Sequence, residues 1–239
     1  VKDDGPVAIG AVAPGADGVA RMVLAGATGG VLRALGEPWA LLSDSERQRA
    51  DKFRYDSDRH DFVAAHALAR LCVATLLDRP IGSVDIEQRC EECGADHGQP
   101  YVVGVRDLHL SWSHGHGYVA AAAASAPIGV DVEVLDRKRF DDALLATVLT
   151  AEEIAMVRAA DRPDVAFLRQ WVRKECLIKL GVATLDTIKQ ANLVALPVDL
   201  DPDAPARWQP WHGDRHILDW WDAANQAVGA AIVLDKPAR

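Results

Sequence analysis

The 239-residue chain has few cysteines, no excess of positive charge and no long apolar run. Each absence removes a class of protein. Four scattered cysteines are too few for a disulfide scaffold. Lysine and arginine number 26 against 35 aspartates and glutamates, a net charge of −9 that argues against a general nucleic-acid binder. No stretch approaches the roughly 18 consecutive apolar residues of a membrane span. Val1-Lys2-Asp3-Asp4-Gly5 lacks the basic-then-apolar pattern of an export signal, so a cytoplasmic location is expected. What is there, 49% hydrophobic and 26% charged residues, suits a globular protein of one large domain or two small ones.

Cys72 and Cys176 fall on apolar helical faces and read as core. Cys90-Glu91-Glu92-Cys93 with His97 resembles half a zinc site, but no second Cys or His pair follows at a fitting distance, and a simple turn is the expected reading.

Residues 1–18 are rich in Gly, Ala, Pro and Asp and are expected to be poorly ordered. Order begins with a strand over Val19–Leu24. Ser43 and Glu46 form a capping box opening a helix, and apolar spacing predicts a longer helix over Asp58–Leu77. Strands are expected near Val84–Gln88, Tyr101–Val103 and Tyr118–Ala123. The plan then repeats after Ser125-Ala126-Pro127. Thr150 and Glu153 make a second capping box, a helix spans Arg169–Gly181, and strands are expected near Leu193–Leu196, His216–Asp222 and Ala227–Leu234. The intervals from Ser43 to Trp112 and from Thr150 to Trp220 are nearly equal. The expected fold is therefore α+β, with two similar α+β halves, residues 19–124 and 125–239, in a pseudo-twofold arrangement. A cleft between such halves is a common ligand location.

Two stretches carry the chemistry. Ile128-Gly129-Val130-Asp131-Val132-Glu133 reads as a strand on which Asp131 and Glu133 share a face. Trp171-Val172-Arg173-Lys174-Glu175-Cys176-Leu177-Ile178-Lys179 reads as a helix on which Glu175 and Lys179 lie one turn apart. Three carboxylates suit Mg²⁺, a hard ion that prefers oxygen ligands, with Lys179 as a point charge beside bound phosphates. Taken singly, the strand pair reads as a solvated face and the helix pair as a surface pair. Leu110-Ser111-Trp112-Ser113-His114-Gly115-His116-Gly117 is expected as a loop in which His114 could meet a phosphate oxygen. Arg47, Arg49 and Lys52 lie on the first capped helix.

The order of these segments resembles the Sfp-type 4′-phosphopantetheinyl transferases. The matching pieces are Leu42-Ser43 with the Arg-bearing helix, Arg59 to Arg70, Gly98-Gln99-Pro100-Tyr101, Ser111-x-Ser113-His114, the Asp131-x-Glu133 strand and Trp171-x-x-Lys174-Glu175-x-x-x-Lys179. The resemblance covers roughly Leu41 to Leu234. It implies transfer of the phosphopantetheine arm of coenzyme A to a serine of an acyl or peptidyl carrier protein, with release of 3′,5′-ADP. It implies that Asp131, Glu133 and Glu175 hold Mg²⁺, and that Lys179 stands at the pyrophosphate. His114 and Ser113 fall at a coenzyme A phosphate, and Arg49, with Arg47, at the 3′-phosphate. Gln99-Pro100 falls where the family usually has Lys-Pro or Arg-Pro, and Glu46 where some members carry Lys. Glu175, Lys179 and His114 are the expected catalytic residues, with Glu175 the first candidate for general base, directly or through a water on the metal. Fatty-acid, polyketide and peptide synthases, the last two belonging to secondary metabolism, are all open as sources of the carrier. Arg137-Lys138-Arg139 and the apolar residues of Phe140–Leu149 are the candidate carrier contacts. A monomer is expected, with no nucleic-acid or membrane partner. The competing readings are a Mg²⁺-dependent nucleotide or phosphodiester hydrolase and a non-catalytic carrier-binding relative.

Overall fold

The computed structural model describes residues 6–12, 18–89, 94, 98–136, 142–199 and 205–234. Among them the chain runs through β1 (Val7–Val12), β2 (Arg21–Ala27), α1 (Thr28–Leu35), α2 (Asp44–Ala50), α3 (Asp56–Leu77), β3 (Ile86–Gln88), β4 (Pro100–Val102), β5 (His109–Gly115) and β6 (Tyr118–Ala124). It continues through β7 (Ile128–Val134), α4 (Asp142–Val148), α5 (Ala151–Ala159), α6 (Pro163–Lys179), β8 (Gln209–Trp211), β9 (Arg215–Asp222) and β10 (Ala227–Leu234). The mixture of helices with antiparallel sheets bears out the α+β class.

One sheet has the order β1-β2-β6-β5 and a second the order β7-β10-β9-β8, with β3-β4 a separate ribbon. In each large sheet the last strand of its half lies between the other two principal ones: β6 between β2 and β5, β10 between β7 and β9. Trp112 and Trp220 sit on the corresponding strands β5 and β9. Both capping boxes are present. In each, the buried glutamate also reaches a cation on the next long helix. Glu46 pairs with Arg70 of α3 at 2.7 Å, and Glu153 with Lys174 of α6 at 3.1 Å.

β6 explains the layering. Its Tyr118, Ala120, Ala122 and Ala124 pack against Val130, Val132, Leu218 and Ala231 of the second sheet. Val119, Ala121 and Ala123 pack instead under Leu68, Cys72 and Val73 of α3. A strand covered on both faces shows no polar alternation, and small side chains let both layers come close. β10 is shared in the same way, with Ala227, Ala231 and Val233 toward the first sheet and Val228, Ala230 and Ile232 toward α6. α3 is long and apolar enough to cross a membrane by composition alone, but it is largely buried within the protein.

Several expectations need correction. Val7–Val12, placed in a poorly ordered segment, form an edge strand paired with β2. The segment around Ser111–His114 is strand β5 and not a loop, because it pairs along its length with β6. Leu193–Leu196 is a turn and not a strand. Its Leu193 and Leu196 still fill the core under α6, and its Leu193 N–H donates to Glu153 Oε1 at 2.8 Å, so the side chains are apolar for packing without a ladder. α1 was not foreseen, and α6 starts at Pro163, six residues before Arg169, with proline at its first turn. Cys90, Cys93 and His97, and the basic cluster Arg137-Lys138-Arg139, lie outside the described residues.

On β7, Ile128, Val130 and Val132 face the other sheet. Gly129, Asp131 and Glu133 therefore take the opposite face, toward α6. A Cβ on Gly129 would stand 2.5 Å from the Cys176 carbonyl oxygen, so glycine is what lets the α6 backbone lie on this strand. Gly129→Ala should lower stability by about 1–3 kcal/mol through overpacking, read as a fall in the urea midpoint with unchanged slope.

Candidate active site

The two faces of β5 have separate tasks. Leu110, Trp112 and His114 point toward α3, where the Trp112 ring centroid lies 4.7 Å from His66 and that of His114 lies 6.3 Å from Phe62. Ser111 and Ser113 point the other way, to β7. Ser111 Oγ accepts the Val130 N–H at 3.2 Å, and Ser113 Oγ donates to Asp131 Oδ1 at 2.7 Å. Lys179, at the last turn of α6, donates to Asp131 Oδ1 at 2.9 Å, the Val130 carbonyl at 2.8 Å and the Trp112 carbonyl at 3.2 Å.

Asp131 is buried, and its Oδ2 has no hydrogen-bond partner. Glu175 lies close enough to feel the charge of Asp131. Burial raises its carboxyl pKa, the negative charge of Asp131 raises it further, and Lys179 opposes both. Glu133 shares the strand face but lines an apolar groove with Val134, Leu135, Phe167 and Trp171. Among the described residues, no three His, Cys, Asp or Glu side chains are gathered closely enough to hold a metal ion. The free oxygen of Asp131 and the adjacent Glu175 carboxyl nonetheless fit a hard cation whose remaining ligands come from water and substrate, since a buried acceptor left unpaired is costly unless something fills it.

Two cavities open beside this centre and share Gln88 and Trp112. One, about 330 Å³, is lined by Arg49, Lys52, Phe53, Phe62, His66 and His114 as well. The other, about 280 Å³, adds Gly98, Gln99, Pro100, Ser111, Ile128 and Lys179. The first gathers basic groups and the second is mostly amide and apolar. Arg49 donates to Gln88 Oε1 at 3.0 Å, and Gln88 Nε2 donates to the Gly98 carbonyl at 2.9 Å, so α2 is tied to the segment carrying Gln99 and Pro100. Arg47 is not brought in. Its guanidinium donates to the Trp39 carbonyl and to Asp44 on the outer side of α2. Lys174 is likewise structural, buried with its ammonium on the Ile188 and Ala191 carbonyls.

Residues 127–230 match the family model of the 4′-phosphopantetheinyl transferase superfamily. The family recognised in the sequence is thereby borne out. A protein of Bacillus subtilis named 4′-phosphopantetheinyl transferase is 24% identical over 140 residues, which span 59% of this chain and 60% of the relative's length. Asp131, Glu133, Glu175 and Lys179 lie within the family match, whereas Ser113, His114 and Arg49 precede it.

His66 escaped the sequence reading, although a histidine on an otherwise apolar face of α3 was a visible signal. It is buried between Phe62 and Trp112, with Nδ1 2.7 Å from Glu46 Oε1. Burial lowers its pKa against the pull of Glu46. For Glu46 itself, burial works upward but is outweighed by His66 and Arg70, which hold the carboxyl down to about 2. His114 is also lowered, mainly by burial, with Asp61 opposing.

Both members of the His66–Glu46 pair have folded pKa values below their ordinary ones. The unfolded chain therefore takes up protons first, and stability present at neutral pH is lost on acidification. The loss should begin near the ordinary histidine value of 6.5 and continue below 4.5 toward 2 as Glu46 titrates. Denaturant midpoints measured from pH 7.5 downward should show this decline, and His66→Gln should remove the part that starts near 6.5.

Proposed function

We propose that the protein is a phosphopantetheinyl transferase that moves the phosphopantetheine arm of coenzyme A to a serine of an acyl or peptidyl carrier protein and releases 3′,5′-ADP. One observation carries the reading most directly. A family match to phosphopantetheinyl transferases falls on the segment where Asp131, with its unpaired buried oxygen, meets Glu175 and Lys179.

In this reading coenzyme A lies across the two cavities, with its pyrophosphate over Asp131 and Glu175. The basic cavity of Arg49, His66 and His114 takes a phosphate, and the cavity between Gln99-Pro100 and Trp112 takes the adenine. Gln99 brings no charge, so the 3′-phosphate relies on Arg49 and its basic neighbours. Asp131 and Glu175 would hold Mg²⁺, which when bound supplies charge neutralisation at the pyrophosphate, and Glu133 is the third ligand only by the family resemblance, since its side chain lines the neighbouring groove. The serine oxygen forms a bond to phosphorus as the bond to 3′,5′-ADP breaks, and the serine proton passes to a base. Glu175 is the first candidate for that base, directly or through a water on the metal, since a carboxylate that ligates a cation is itself a weak proton acceptor. Lys179 adds a positive charge beside these groups.

The arrangement is read as pseudo-twofold, with the site in the cleft between the halves. The matching strand orders of the two sheets, the paired capping boxes and the contacts from β5 to β7 support this. Packing of the two sheets on each other within one chain supports a monomer.

The test is incubation with coenzyme A, Mg²⁺ and an apo carrier protein, followed by intact mass spectrometry of the carrier. The carrier should gain one phosphopantetheine arm, and Glu175→Gln should slow the gain by about 10²-fold or more. Coenzyme A binding with no gain on either acyl or peptidyl carriers would favour a non-catalytic relative. Hydrolysis of coenzyme A without transfer would favour a phosphodiester hydrolase.

A further inference from the structure

Lys179 is placed unlike a lysine reserved for a phosphate. An ammonium has three protons to donate. Those of Lys179 go to three protein oxygens: the Trp112 carbonyl of β5, the Val130 carbonyl of β7 and Asp131 Oδ1. These acceptors come from both halves. β5 and β7 belong to different sheets and share no backbone ladder. Side chains do the joining instead: Ser111 to the Val130 N–H, Ser113 to Asp131, and Lys179 to both strands.

Two donors converge on one oxygen of Asp131. Ser113 and Lys179 both donate to Oδ1, and Oδ2 is left buried without a partner. Such an arrangement fixes the carboxylate's rotation and decides which oxygen is available. We propose that Lys179, with Ser113, is a positioning residue: it clasps β5 to β7 and orients Asp131 so that Oδ2 is the oxygen offered to the cation. This rests on the metal-dependent transferase reading above and gives Lys179 its role within it. Lys179 acts on the reaction through Asp131 and the seam, with its own protons spent on the protein.

The sign of one measurement separates this from a lysine that serves only as a charge for phosphate. Taking a positive charge away from a cation site should by itself strengthen cation binding. Loss of a group that orients a ligand should weaken it, by about 10-fold or more. Mn²⁺, which takes oxygen ligands like Mg²⁺, can be titrated into the protein without coenzyme A and followed by calorimetry and electron paramagnetic resonance. Lys179→Met should bind Mn²⁺ about 10-fold more weakly than the wild type and should melt at a lower temperature, since two carbonyls at the seam lose their donor. Ser113→Ala keeps the Lys179 clasp. It should melt close to the wild type yet also lose about 10-fold in Mn²⁺ affinity, so the question is answered even where Lys179→Met does not fold. Unchanged or tighter Mn²⁺ binding in the folded variants would overturn the positioning role while the transferase reading stood. A wild-type protein that binds no Mn²⁺ would instead defeat the metal-dependent reading, and this inference with it.

Discussion

The site depends on how closely α6 lies on β7. Helix and strand backbones normally stand apart by the width of their side chains. Here Gly129 removes one of those side chains directly under Cys176, and the helix drops onto the strand. Glu175 and Lys179 are then carried to the Asp131 face of β7. The contact is steric before it is electrostatic. Without the close approach, Lys179 could not reach the Val130 carbonyl, and Glu175 would not feel the charge of Asp131. Burial supplies the rest, since in water the Glu175 carboxyl would not be raised and the Asp131 carboxylate would not need protein partners.

Burial also divides the polar groups into two kinds. The Glu46–Arg70 and Glu153–Lys174 ion pairs are buried, with Arg70 Nε the one buried polar side-chain atom of these left without a hydrogen bond, and each joins a short capped helix to the long helix that follows. They hold the halves in shape. Asp131 is buried with one oxygen paired and one not. In the proposed reading that free oxygen is the one a cation would meet. The motif Trp-x-x-Lys-Glu-x-x-x-Lys contains both kinds within one helix: Lys174 points into the scaffold, while Glu175 and Lys179 point to the site.

Much of this was legible in the residues. Alternation on β7 placed Asp131 and Glu133 on one face, and helical spacing placed Glu175 and Lys179 together. Both capping boxes were correct because their hydrogen bonds are local. What failed was non-local. β5 read as a loop because Ser, His and Gly are poor strand signals, and only pairing with β6 makes them a strand. Leu193–Leu196 read as a strand because apolar spacing records burial and not backbone form. Arg47 and Arg49 looked equivalent by composition, but α2 turns one to solvent and the other to Gln88. His66 needed the third dimension, since its neighbours Trp112 and Glu46 come from β5 and α2.

The strand order also bears on how the chain is made. β2 pairs with β6, so Arg21 waits for Ala124 before the first sheet can close. α3 is synthesised between them, and the alanines of β6 that cover one of its faces leave the ribosome later. For the length of chain from Asp78 to Val119, a helix apolar enough to suit a lipid bilayer stands partly uncovered in the growing polypeptide. The second half has the same delay, with Ile128 waiting for Val233. Non-local closure of this kind is slow and leaves sticky intermediates. That interval of exposure thus falls during the protein's own synthesis, before Asp131, Glu175 and Lys179 have been joined to the chain.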